Sequence, residues 1–66
     1  MRVEGASAKG WAAVRLDTLE EVNQGDLLLA DSETGSVEWL DRTGSKCTSS
    51  LGPGAVRIVR RSTYGR

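Results

Sequence analysis

The residues that could do chemistry in this chain are carboxylates, one thiol, two lysines and several arginines, and the sequence contains no histidine. Several carboxylates lie close together in the first half of the chain, and such a group could bind a cation. They are Asp17, Glu20, Glu21, Asp26, Asp31 and Glu33. A calcium loop needs ligands at alternate positions around a glycine, with a closing glutamate, and these residues lack that spacing. They therefore indicate a solvated acidic surface, and we expect neither a metal nor another cofactor.

Ser45, Lys46 and Cys47 bring a hydroxyl, an amine and a thiol together in consecutive residues. On a strand the side chain of Lys46 lies opposite to the other two, so that it cannot serve as their base. We expect Cys47 to be a buried or half-buried thiol that does not act as a nucleophile. The Gly-Pro-Gly stretch at 52–54 lacks the Lys-Ser or Lys-Thr of a phosphate-binding loop and indicates a turn. We therefore expect no enzymatic activity.

The charged residues are divided unevenly along the chain. Residues 1–42 carry four Lys or Arg and nine Asp or Glu, whereas residues 43–66 carry five basic residues and no acid. The two parts have net charges of −5 and +5, which cancel in the whole chain. Such asymmetry can mark an interaction surface, and it can equally belong to two segments that fold against each other. The sequence leaves both alternatives open.

The elements that position these side chains are set by short turn sequences, spaced at the length of strands and too closely for helices. The turns fall at 23–26, 32–36, 42–45 and 51–54. The predicted strands are 11–17, 26–31, 36–41, 45–51 and 55–61. Between the first two strands the chain forms either a helical turn, with Asp17 as its cap and Glu20 three residues later, or a long hairpin loop.

Alternation of apolar and polar residues indicates which strand faces are buried. Ala12, Val14 and Leu16 share one face of the first strand, and Val37 and Trp39 share one face of the third. We therefore expect Trp39 in or beside the interior. The tripeptide Thr-Gly-Ser occurs in both central hairpin turns, where the glycine can take the positive φ that such turns require.

This order of strands and loops resembles that of SH3-like small barrels. The SH3 plan has a long loop after the first of five strands, two tighter hairpins, and a helical turn before the last strand. Residues 11–61 offer TLEEVNQG, SETG, RTG and LGPG at those places, in that order. The residues with which the family binds proline-rich peptides are not matched, so the resemblance does not imply that activity. We expect an all-β fold, a small five-stranded SH3-like barrel, with another five-stranded barrel or a twisted antiparallel meander as alternatives.

The domain organisation follows from this assignment. Residues 1–10 are expected to be a flexible N-terminal arm, 11–61 a single small β-barrel domain, and 62–66 a basic C-terminal tail. A chain of 66 residues with one cysteine has no internal disulfide to support its small core, which favours self-association. The longest apolar run, LLLA at 27–30, is far shorter than the roughly 20 residues of a membrane span, and we expect a cytoplasmic protein without a membrane partner.

Two functions fit these observations. The first is a non-enzymatic binding or assembly module that contacts a protein partner or copies of itself, a type of module that suits an accessory protein of a phage or other mobile element. The alternative is a nucleic-acid binder, ranked lower because the net charge is zero. The candidate binding surface comprises Arg57, Arg60, Arg61, Arg66, Lys46 and Tyr64. The acidic counter-surface comprises Glu20, Glu21 and Glu33.

Overall fold

The computed structural model describes residues 1–60, which form an all-β fold with six strands. The strands are β1 (Arg2–Glu4), β2 (Trp11–Arg15), β3 (Leu27–Asp31), β4 (Ser36–Leu40), β5 (Lys46–Ser50) and β6 (Val56–Arg60). A 3-10 helix, Gly5–Ala8, follows β1. The predicted all-β class is confirmed, and strands β2 to β6 lie within the five predicted ranges. Arg61 and the predicted tail, residues 62–66, lie outside the described residues.

The strands pair in two antiparallel sheets. One sheet has the order β1-β3-β4-β5, and the other consists of β2 and β6. Within the first sheet β3, β4 and β5 form a meander, because consecutive strands are joined by tight turns. In residues 1–60 these two ladders are not joined into a closed barrel, and the sixth strand, β1, exceeds the predicted number. The five-stranded barrel expected from the sequence is therefore not confirmed.

The N-terminal segment corrects the predicted domain boundary. Residues 1–10 were expected to lie outside the folded domain, yet β1 pairs with β3 and places Val3 opposite Ala30. Val3 and Ala8 are buried in the core, and the Ser32 backbone N–H donates to the Met1 carbonyl at 2.9 Å. A three-residue strand with one apolar side chain is too short for alternation to reveal it, which is why the sequence did not indicate β1.

The two central hairpin turns have the predicted glycine geometry. Gly35 and Gly44 have φ angles of +77° and +84°, which residues with a Cβ atom adopt only at a cost. In the first turn the Gly35 N–H donates to the Asp31 carbonyl at 2.8 Å, and in the second the Gly44 N–H donates to the Asp41 carbonyl at 3.1 Å. The recurring Thr-Gly-Ser sequence is thus confirmed as turn chemistry.

The core is built mainly from small side chains. Its buried members are Val3, Ala8, Ala12, Ala13, Leu27, Ala30, Val37, Val56 and Ile58. Trp39 is half-buried and packs against this cluster, as predicted from its place beside Val37. Ala12 and Ala13 are both buried, so that β2 is covered on its two faces, and the predicted burial of Leu16 is wrong because Leu16 is 49% exposed. The alternation of apolar residues extends to Leu16, but β2 ends at Arg15, so Leu16 no longer lies on the buried face of a strand.

The chain between β2 and β3 begins with a hairpin loop and not with a helical turn. The Leu19 N–H donates to the Arg15 carbonyl at 2.8 Å, and the Arg15 N–H donates to the Glu20 carbonyl at 2.9 Å. Asp17 accepts hydrogen bonds from the Arg15 guanidinium instead of capping a helix. Leu19 has a φ of +64°, a left-handed conformation that costs a non-glycine residue about 1–2 kcal/mol. The tip of this loop, residues 16–20, is exposed.

Candidate functional site

The predicted basic surface is divided between the two sheets. Arg57 and Arg60 lie on β6 and are exposed, whereas Lys46 lies on β5, in the other sheet. The Lys46 ammonium contacts Glu38 at 3.1 Å, so that its charge is compensated within the chain. Arg61, Arg66 and Tyr64 lie outside the described residues. Within the described residues, Arg57 and Arg60 share β6, but they are three residues apart, so their side chains lie on opposite faces of that strand.

Arg60 stacks on Trp11, an aromatic residue outside the predicted binding surface. Its guanidinium carbon lies 4.9 Å from the centroid of the Trp11 ring, because the two residues are partners in the β2–β6 ladder. A cation at this distance from an indole is attracted by the negative face of the ring. Strands β2 and β6 contain Arg15, Arg57 and Arg60 and no carboxylate, and we call them the basic strand pair.

The predicted acidic residues are divided between two connections of the fold. Glu20 and Glu21 lie in the β2–β3 connection, and Glu33 lies in the β3–β4 turn; all three are exposed. Two further ion pairs, Arg2–Glu4 and Arg15–Asp17, join residues close in sequence. Since Lys46–Glu38 also lies within the chain, part of the charge asymmetry is cancelled by folding. Among residues 1–60, no carboxylate lies within ion-pair distance of Lys9, Arg42, Arg57 or Arg60.

A groove of about 410 Å³ opens beside the β4–β5 hairpin. Its walls are Val22, Gln24, Trp39, Asp41, Arg42, Thr43 and Cys47. Trp39 and Cys47 are cross-strand partners and therefore lie on the same face of the sheet. The hairpin pattern around the 41–45 turn would have paired these two residues from sequence alone. The opposite wall was not foreseeable, because Val22 and Gln24 belong to a connection whose path depends on tertiary contacts.

A buried amide holds that opposite wall in place. Asn23 is fully buried, and its side-chain carbonyl accepts a hydrogen bond from the Ala13 N–H at 2.9 Å. Its amide nitrogen donates to the Gly25 carbonyl at 3.0 Å. The side chain thereby connects β2 to the segment that leads into β3. Val22 and Gln24, on either side of Asn23, are fixed as one wall of the groove.

The electrostatics of the groove are set by Asp41. One oxygen of its carboxylate accepts hydrogen bonds from the Thr43 hydroxyl at 2.7 Å, the Thr43 N–H at 2.8 Å and the Ser45 N–H at 3.0 Å. These donors, with the Thr43 hydroxyl contributing most, lower the pKa of Asp41 below the ordinary carboxyl value. Asp41 is therefore an anion at neutral pH whose charge is already compensated by its own turn.

Cys47 is half-buried, as predicted, and its sulfur lies 3.8 Å from the second oxygen of Asp41. Burial raises the pKa of this thiol, and the neighbouring Asp41 charge raises it further. The group is a neutral thiol at physiological pH, whereas a cysteine nucleophile requires a lowered pKa. The groove therefore offers an indole, a thiol and the cation of Arg42 for binding, and no activated nucleophile.

The outer edge of β5, next to the groove, carries backbone groups without a partner among residues 1–60. β5 is the last strand of its sheet. Hydrogen bonds from the Asp41 N–H to the Ser45 carbonyl and from the Leu51 N–H to the Gly35 carbonyl fix the alternation of the β4–β5 ladder. By that alternation the backbone groups of Lys46, Thr48 and Ser50 point away from β4. Within residues 1–60 they have no ladder partner.

Other kinds of site find no support in the described part of the chain. Residues 1–60 contain no group of three side chains that could hold a metal ion, and no helix among them is long and apolar enough to cross a bilayer. Comparison of the chain with protein-family models, with curated proteins and with solved structures found no match.

Proposed function

We propose that the protein is a non-enzymatic protein-binding module, and that its binding surface is the groove together with the free edge of β5. One observation carries this proposal: backbone donors and acceptors of β5 that have no ladder partner among residues 1–60 lie beside a groove that contains Trp39. An extended segment of a partner can add to such an edge through main-chain hydrogen bonds, while an alternate side chain enters the neighbouring pocket. Main-chain pairing supplies affinity and the pocket supplies specificity.

The chemistry of the groove defines the preferred partner segment. Trp39, Val22 and the neutral thiol of Cys47 favour an aromatic or aliphatic side chain in the groove. Arg42 has no carboxylate within ion-pair distance among residues 1–60 and favours an acidic residue near that side chain. We also propose that the protein is an SH3-like module, because the order of its predicted elements resembles that of SH3-like barrels. We propose a cytoplasmic location as well, because an unpaired thiol suits a reducing compartment.

The test uses synthetic eight-residue peptides with a central Phe, Leu or Ser, each made with a neighbouring Glu or Lys. We expect the Phe and Leu peptides with Glu to bind most tightly, to shift the backbone amide resonances of Lys46, Thr48 and Ser50, and to change the fluorescence of Trp39. Thr48→Pro removes an outward N–H from the edge without removing a β4–β5 hydrogen bond, because proline is tolerated on edge strands. Thr48→Ala is the matched control, since it keeps the N–H.

The expected result is that Thr48→Pro loses binding while Thr48→Ala retains it, with both variants folded by circular dichroism. Equal binding by the two variants would show that the edge is not used. If none of the peptides shifts a resonance of β5 or of Trp39, the proposal is wrong.

A second candidate function, nucleic-acid binding, is favoured by the basic strand pair. Its strands carry Arg57 and Arg60, on opposite faces of β6, and no carboxylate, and the Trp11 ring lies beside Arg60. Cations that neutralise phosphates and an aromatic ring that stacks on bases are the two requirements of single-strand binding. Arg57→Glu with Arg60→Glu should abolish binding of a labelled oligonucleotide, whereas Lys46→Glu, on the other sheet, should leave it unchanged. Retention of binding by the double variant would exclude this surface.

A further inference from the structure

The hairpin loop between β2 and β3 ends in an apolar tip that the fold does not explain. Leu19 is 75% exposed and Leu16 is 49% exposed, so that neither side chain is buried in the core. Leu19 also has a φ of +64°, which glycine or asparagine adopts more readily than leucine. Neither burial nor backbone conformation accounts for a leucine at position 19, and the exposed side chain is available to a second molecule.

The charge beside this tip is negative, and the groove contains a positive charge that could pair with it. Glu20 follows Leu19 directly and is exposed, with its backbone N–H bound to the Thr18 hydroxyl. Arg42 lies in the groove wall and has no carboxylate within ion-pair distance among residues 1–60. Asp41, the acid in the groove, is already bound by Thr43 and Ser45 and opposes an entering carboxylate less than a bare anion does.

We propose that the loop tip of one copy enters the groove of a second copy, with Leu19 against Trp39 and Glu20 beside Arg42. This inference rests on the groove assigned above as the binding surface and names one occupant for it. Val22, in the groove wall, is three residues from Leu19, so the tip lies within about 11 Å of its own groove. A two-fold axis beside the groove can therefore bring both tips onto both grooves, as an isologous dimer requires.

The substitution Leu19→Asn tests the tip without a cost to the fold. Asparagine tolerates the left-handed conformation and is polar, whereas the matched variant Leu19→Met keeps an apolar side chain in the same backbone. We expect the parent chain and Leu19→Met to form dimers in sedimentation velocity. Leu19→Asn should weaken dimerisation at least about a hundredfold, because each substitution acts at both contacts. Its thermal midpoint, measured where all variants are monomeric, should not fall below that of the parent.

Complementation identifies the groove as the receiving site. Arg42→Glu should also weaken the dimer, and combining it with Glu20→Arg in one chain should restore it, since the charges are then exchanged at both contacts. Mixing Leu19→Asn with Arg42→Glu should give a heterodimer that retains one intact contact, detectable with differently labelled chains. Neither variant alone has an intact contact.

The results separate this inference from the proposed function. A parent chain that stays monomeric up to millimolar concentration, or a Leu19→Asn variant that dimerises as tightly as the parent, overturns the inference. If the acidic Phe or Leu peptides still shift Trp39 and the amides of β5 in that case, the groove remains a binding site for other proteins. If neither the peptides nor a second copy perturbs the groove, both proposals are wrong.

Discussion

Asn23 is the fully buried amide that connects β2 to the start of β3, and Asn23→Ala removes both of its described hydrogen bonds. The Ala13 N–H then loses its acceptor in a buried position, which costs about 1–3 kcal/mol. Loss of the bond to the Gly25 carbonyl adds about 0.5–1.5 kcal/mol. The sum, about 1.5–4.5 kcal/mol, is a large part of the roughly 3–10 kcal/mol available to a domain of this size.

Urea unfolding monitored by tryptophan fluorescence measures this loss. With a slope near 1 kcal/mol per molar urea, as a small domain has, the midpoint should fall by about 1.5–4.5 M. Hydrogen exchange of the Ala13 amide should accelerate in Asn23→Ala. Gln24→Ala is the control, because Gln24 is exposed and adjacent to Asn23. Its free energy of unfolding should change by less than about 0.5 kcal/mol. If Asn23→Ala unfolds within that same margin of the parent, the buried amide does not hold the groove wall as argued.

Further predictions concern the groove and the turn that abuts 51–54. The pKa of Asp41 is lower in the folded protein than in the unfolded chain. The stability that Asp41 contributes is therefore complete above the ordinary aspartate pKa of about 3.9, and it is lost as the pH falls through the folded pKa. Asp41→Asn should remove this acid dependence from the unfolding curves. Cys47 should react slowly with a bulky thiol reagent at pH 7, with a reactivity midpoint above the ordinary pKa of a cysteine thiol, and rapid labelling of the folded protein would contradict the raised pKa. Gly35→Ala should cost about 2–5 kcal/mol because its φ is +77° and its Cβ would overlap the Gly52 carbonyl, whereas Gly44→Ala, with open space at its Cβ, should cost only about 1–2 kcal/mol by calorimetry.

The parts of the fold that the sequence predicted are those set by local chemistry. The central hairpins follow from glycines at fixed places in short turns, and the opposite faces of Lys46 and Cys47 follow from the period of a strand. β1 was missed because its three residues carry too little pattern to distinguish them from a loop. The burial of Ala13 was missed for a different reason: β2 is covered on two faces, and alternation describes only a strand covered on one.

The candidate site was less predictable because it is assembled from distant segments. The stacking of Arg60 on Trp11 depends on the pairing of the first and last predicted strands, which no local pattern specifies. The ion pair between Lys46 and Glu38 and the Trp39–Cys47 pair both follow from the β4–β5 register, which the symmetry of the hairpin indicates. Charge counting along the chain identified a real asymmetry without showing how much of it folding cancels.

The pairing of β2 with β6 has a consequence for the order in which the chain folds. Its ladder joins residues as far apart as Trp11 and Arg60, whereas the β3–β4–β5 meander is closed by turns of a few residues. Closing a long loop costs more entropy than closing a short one, and hairpins form within about 1–10 μs. The meander is therefore the early structure, and the β2–β6 ladder forms late. Destabilising substitutions in β6 should mainly accelerate unfolding, whereas those in the meander turns should slow refolding.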